Sequence, residues 1–171
     1  LYAELIQNRD FEYDPSDREG DKNWNSTHSW TLKGDKTTFT IATTDPIHAN
    51  NPHYAVLNVE QPGAALENAG FDGIALNVGE KYDFSIFARV PQGQSNKLQV
   101  RLVDREGNIC GETSLTVSSR QWKTYKAVIT AKATADTRLE IIPQSAGELN
   151  WFRSIHLKDA RTDSARIWLK C

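Results

Sequence analysis

From Tyr82 to Val90 the chain reads YDFSIFARV, and its side chains alternate in character. Tyr82, Phe84, Ile86, Ala88 and Val90 share one parity, while Asp83, Ser85, Phe87 and Arg89 share the other. Side chains on a strand point alternately to its two faces, so the segment reads as a strand with one face buried. The turn Gly79-Glu80-Lys81 opens it. After Pro91–Asn96, the segment Lys97–Asp104 repeats the pattern, with Leu98, Val100 and Leu102 set against Lys97, Gln99 and Arg101. Together the two segments predict a hairpin with one apolar face. Its opposite face would carry Phe87, Arg89, Gln99 and Arg101.

The same period recurs along the chain. Leu1–Gln7, Ser29–Lys33, Thr37–Thr44, His53–Glu60, Gly73–Val78, Ile109–Val117, Trp122–Ala131, Thr137–Pro143 and Leu149–Lys158 all read as strands. Asp104–Asn108 is a hairpin turn with Gly107 placed for positive φ. Tyr13–Ser29 and Asp45–His53 are polar loops, and Ala64–Phe71 reads as a loop or one helical turn. Short strands with turn signals at roughly 8–12-residue spacing, and no long amphipathic helix, argue an all-β fold. The expectation is an antiparallel β-sandwich of jelly-roll type. Its core is predicted to hold Trp30, Phe39, Leu57, Ile74, Tyr82, Phe84, Ile86, Leu98, Val100, Leu102, Leu139 and Ile141. At 171 residues the chain suits one domain. The sandwich is assigned to 13–158, with 1–12 leading in and 159–171 as a tail.

The net charge of −2 favours neither nucleic acid nor an anionic membrane as partner. No run approaches the roughly 18 apolar residues of a membrane span. The chain holds no Met and starts within an apolar pattern, which suggests a piece excised from a longer protein. Cys110 reads as a small buried hydrophobe, and no pairing with Cys171 is expected. Among 22 acidic residues no pair is singled out as acid and base. There is no His-Glu-x-x-His, Cys-x-x-Cys, Gly-x-Ser-x-Gly or phosphate-loop pattern. Calcium needs only oxygen ligands, and Glu12 and Asp159 could supply them where the first and last strands meet.

The polar sheet face therefore carries the functional reading. With adjacent strands, Tyr54, Asn58, Phe87, Arg89, Gln99, Arg101, Arg138 and Glu140 would point the same way. Aromatic faces pack on the C–H surfaces of sugars, and planar amide, carboxylate and guanidinium groups hydrogen-bond their hydroxyls. An ordinary solvated face, with arginines paired to acids across strands, explains the same residues. A third explanation is that the face packs on another domain, to which Val56, Phe87 and Val103 would contribute.

Two stretches resemble the α-L-arabinofuranosidases of the plant, fungal and Bacteroides type. Leu1–Glu12, LYAELIQNRDFE, is similar to the segment near the start of those enzymes. Asn51–Val90 resembles the carbohydrate-binding-module-like β-sandwich inserted just after it. The likeness rests on Asn51-Pro52-His53-Tyr54, Asn68-Ala69-Gly70-Phe71-Asp72-Gly73-Ile74, Gly79-Glu80-Lys81-Tyr82 and Phe87-Ala88-Arg89, and Trp151 also fits. After the last strand His156-Leu157-Lys158-Asp159 departs from the family pattern, and no stretch matches the motifs around the catalytic carboxylates.

The resemblance implies a non-catalytic carbohydrate-binding piece of a glycoside hydrolase, with no active site of its own. Its partners would be an arabinose- or xylose-containing polysaccharide and the parent's catalytic domain. It also implies a periplasmic or extracellular setting and a structural calcium at Glu12 and Asp159. Phe87 would be the sugar platform, with Arg89, Gln99, Arg101 and Asn58 as hydrogen-bonding groups. The alternative is an accessory domain that packs on the catalytic barrel and binds no sugar itself.

Overall fold

The computed structural model describes residues 30–44, 53–68 and 73–159, the side chains of 152–159 apart. Eleven strands run through them: β1 (Trp30–Lys33), β2 (Thr37–Ala42), β3 (Tyr54–Val59), β4 (Ala65–Asn68), β5 (Ile74–Leu76), β6 (Lys81–Arg89), β7 (Asn96–Val103), β8 (Ile109–Val117), β9 (Lys123–Thr130), β10 (Ala135–Pro143) and β11 (Gly147–Asp159). They form two sheets. The first has the order β1-β4-β10-β7-β8, with β5 also paired to β10; the second has the order β2-β3-β11-β6-β9. All the strand pairs are antiparallel. The architecture is the expected antiparallel β-sandwich of jelly-roll type.

The inner faces follow the alternation. Phe84 and Ile86 of β6 meet Leu98, Val100 and Leu102 of β7 and Leu139 and Ile141 of β10 in one core. Eleven of the twelve predicted core residues are buried; the exception, Phe39, is partly buried and packs against the core. Trp151 is fully buried, its ring stacked on Phe39 at 6.1 Å and tilted against Trp30 at 6.4 Å. Each large side chain taken out of water in this way contributes about 1.5–3 kcal/mol. Cys110 is buried as expected.

The predicted β6–β7 hairpin does not form. β6 pairs with β11 and β9, and β7 pairs with β10 and β8, so the two strands belong to opposite sheets. Alternation shows which face of a strand is buried. It does not show whether the next strand returns in the same sheet or crosses to the other, roughly 10 Å away. The link makes the crossing: Val90 N–H donates to Ser119 O at 2.8 Å, and Gly93, at φ +79°, donates to Val90 O at 2.9 Å. The β7–β8 hairpin does form, and Gly107 holds φ +86° in its turn.

A second correction concerns Ala64–Phe71. Ala65–Asn68 is neither loop nor helical turn but a four-residue strand between β1 and β10. Its Leu66 is buried inward, while Glu67 stands on the outer face.

Candidate functional site

Because β6 and β7 lie in different sheets, the eight residues expected on one face fall into two groups on opposite surfaces. Gln99, Arg101, Arg138 and Glu140 point outward from the first sheet. Tyr54, Asn58, Phe87 and Arg89 point outward from the second. The single platform with Phe87 and Arg101 side by side is thus overturned.

The first-sheet group is a charge ladder. Arg138 Nε donates to Glu67 Oε1 at 2.9 Å, and its Nη2 lies 3.5 Å from Glu140 Oε1. Lys33 Nζ meets Glu67 Oε2 at 2.9 Å. Gln99 donates to Glu112 at 3.2 Å, and Arg101 and Lys132 lie 3.9 and 3.5 Å from the same carboxylate. Burial acts to raise the pKa of Glu67, yet hydrogen bonds with Lys33, Glu140 and Arg138 outweigh it and hold the carboxyl below its usual value. Glu140 is pushed up by burial and by its neighbour Glu67, against the pull of Arg138 and Lys33. The outward positions of these strands carry no aromatic ring. This is the ion-paired face that cross-strand pairing alone explains.

The second-sheet group is different. Register aligns Tyr54 with Ala42, Phe87 with Thr124, and Asn150 with both Val56 and Arg89. Trp122, just before β9, closes over this corner. Its ring stacks on Phe87 at 5.9 Å and 21° and meets Tyr54 edge-on at 5.4 Å and 80°. The Arg89 guanidinium lies over both remaining rings, 4.5 Å from the Trp122 centroid and 5.5 Å from that of Tyr54. A cation over aromatic faces at this range is attracted to them. Arg89 Nε donates to Asn150 Oδ1 at 3.0 Å, and Asn150 Nδ2 donates to Glu148 Oε1 at 3.0 Å. The Tyr54 hydroxyl donates to Thr44 O. Asn58, exposed, stands opposite Glu148 across the β3–β11 ladder.

Aromatic rings, a guanidinium, an amide and a carboxylate are thereby fixed together at one corner of a sheet face. An open hollow of about 360 Å³, lined by Asp83, Ser85, Lys126 and Val128 among others, continues the face along β6 and β9. Such a mixture suits a ligand with both apolar C–H surface and hydroxyl groups.

Sequence reading missed Trp122, Asn150 and Glu148. Their parity was available: Trp122 falls with Thr124 and Lys126, opposite the inward Tyr125 and Ile129, and Asn150 falls with Glu148 between the buried Leu149 and Trp151. Of the suggested calcium ligands, Glu12 lies outside the described residues, as does the side chain of Asp159, whose backbone pairs with Tyr82. Among the described residues no group of three or more His, Cys, Asp or Glu side chains is placed to hold a metal ion.

A two-sheet jelly roll is shared by lectin-type and many other domains, and in this one a sheet face carries an aromatic and polar corner suited to a sugar. Residues 3–147 match the carbohydrate-binding domain family of the CBM4/9 type, and the chain belongs to that family. It is 32% identical over 152 residues to an extracellular exo-α-L-arabinofuranosidase of Streptomyces chartreusis, covering 88% of this chain and 17% of that enzyme. Its fold superposes on an arabinose-bound GH51 α-L-arabinofuranosidase with a TM-score of 0.77 at 20% identity, over 93% of this chain and 27% of the other. It also superposes on a CBM4 domain with a TM-score of 0.54 at 14% identity, over 90% of this chain and 99% of the other. The chain thus spans about a sixth of the curated relative's length. It is a carbohydrate-binding module homologous to those associated with arabinofuranosidase-type enzymes.

Proposed function

We propose that this module binds an arabinose- or xylose-containing plant polysaccharide on the outer face of its second sheet and holds it near the catalytic domain of an α-L-arabinofuranosidase-like parent. The module itself is non-catalytic. The observation that carries this reading is the Trp122–Phe87–Tyr54 cluster with Arg89 lying over two of its rings. Trp122 and Phe87, both partly exposed, offer apolar surface to a sugar, and Arg89, Glu148 and Asn58 serve its hydroxyls, while the buried Tyr54 and Asn150 hold the Trp122 ring and the Arg89 and Glu148 side chains from beneath. Gln99, Arg101, Arg138 and Glu140 take no part, being engaged with acids and bases on the far surface. Kinship with an enzyme named extracellular supports an extracellular or periplasmic setting. A structural calcium held by Glu12 and Asp159 belongs to the same reading.

Calorimetric titration with arabinan, arabinoxylan and xylan tests the proposal. The wild-type module should give a saturable signal with at least one of them, and Trp122→Ala should weaken it roughly tenfold or more. No signal with any of the three would remove the reading.

A second reading has support from the same corner. Val56 and Phe87 lie on one face with Trp122, so the patch could seat against the parent's catalytic barrel. Val103 does not extend it, because it lies on the opposite sheet. In that case deletion of the module would destabilise the full enzyme, and the isolated module would bind no glycan.

A further inference from the structure

The Trp122 ring is carried by a short link, Ser118–Gln121, between β8 and β9, and the structure gives that link several fixed attachments. Tyr125, on the inward parity of β9 and packed against the core, turns its hydroxyl up to the link. There it accepts the backbone N–H groups of Ser118 at 3.2 Å and Ser119 at 3.1 Å. Ser119 O accepts from Val90 N at 2.8 Å, one residue beyond Arg89, and Ser119 Oγ accepts from Gln121 N at 3.0 Å. On the outside, Arg120 lies against Gly93 of the β6–β7 crossing, so closely that a Cβ there would sit 2.3 Å from its Nε. The φ of +79° favours glycine at position 93, and the absence of a side chain there leaves room for the Arg120 guanidinium to pack on the crossing.

We propose that Tyr125 is the positioning residue of the ring cluster: its hydroxyl, buttressed by the Arg120–Gly93 contact, holds Trp122 stacked on Phe87 before ligand arrives. A link already ordered loses little freedom on binding, so the rigidity appears as affinity. Tyr125 touches no ligand; it acts through Trp122. The inference rests on the sugar-binding reading for its affinity consequence, but not for its structural one.

The test uses the whole chain with Tyr125→Phe, which removes one oxygen and keeps the ring, and Arg120→Ala, an exposed position that leaves the core intact. Three quantities are read: amide exchange at Ser118 and Ser119, the NMR contact between the Trp122 and Phe87 rings, and affinity for the glycan bound by wild type. Tyr125→Phe should speed exchange at both amides, weaken the ring contact and lower affinity roughly fivefold. Arg120→Ala should move the same readouts in the same direction by less. If both variants keep the ring contact and the slow amides of wild type, Tyr125 has no positioning role, whether or not a glycan binds. If the ring contact loosens while affinity stays within twofold, the rigidity is not used in binding and the proposal fails in its functional half. Failure of the sugar-binding reading itself looks different: no glycan binds wild type, or Trp122→Ala leaves affinity unchanged.

Discussion

Glu67 and Glu140 face each other across the β4–β10 ladder, and replacing each by glutamine should move stability in opposite directions at neutral pH. Their side chains are only 9% and 15% exposed, and Arg138 lies between the two carboxyls, with Lys33 beside Glu67. Glu140 has its pKa raised, so the folded protein holds that proton more tightly than the unfolded chain does. Its protonation therefore contributes stability that is full below the ordinary glutamate pKa and lost as pH rises through the elevated folded value. Above that value the charged pair opposes folding, and like charges opposed on neighbouring strands cost roughly 0.2–1 kcal/mol. Glu140→Gln removes the charge and should raise Tm at pH 8 by about 1–4 °C; at pH 4 the gain should vanish. Glu67 has its pKa lowered, so its contribution is present above the ordinary value and lost as pH falls through the folded one. Glu67→Gln strips Arg138 and Lys33 of their shared anion and should cost about 1–3 kcal/mol at pH 8. Thermal unfolding from pH 4 to 8, followed by circular dichroism, reads both. Equal signs for the two variants at pH 8, or a Glu140→Gln gain that persists at pH 4, would refute the assignment of the two carboxyls.

Gly111 lies beside the irregularity in the β7–β8 ladder, where an added Cβ would meet Ile129 Cγ2 at 2.7 Å. Gly111→Ala should therefore cost about 1–3 kcal/mol by overpacking, and Ile129→Leu in the same chain, which removes the clashing Cγ2 branch, should return part of it in urea unfolding. Arg89→Lys keeps the charge but loses the planar group that spans Trp122 and Tyr54, so glycan affinity should drop while Tm changes little; unchanged titration curves would count against the role given to Arg89. The proposed calcium predicts a higher Tm with the ion than with a chelator, and loss of that difference in Glu12→Gln.

How far these features could be read in advance depended on the physical signal each carries. The inward set of β6, Tyr82, Phe84, Ile86 and Ala88, announces itself because a period of two is local. The partner of β6 does not, because an arch and a hairpin bury the same parity. That one ambiguity sent Arg101 and Arg138 to the wrong surface relative to Phe87. β4 was hidden because its four residues include Glu67 and Asn68, polar side chains buried by neighbours distant in sequence. Trp122 had the right parity, but it precedes its strand, and only tertiary structure brings it onto Phe87. The family likeness around Asn51–Val90 pointed to the right domain class without depending on any of these pairings.

Mapping by NMR where a bound arabinoxylan or arabinan oligosaccharide perturbs the backbone and side-chain signals tests the central claim most directly. The account predicts that shifts concentrate at Trp122, Phe87, Arg89 and Asn150, with Arg101, Arg138 and Glu140 silent. Perturbations confined to those last three, on the charged sheet, would contradict it.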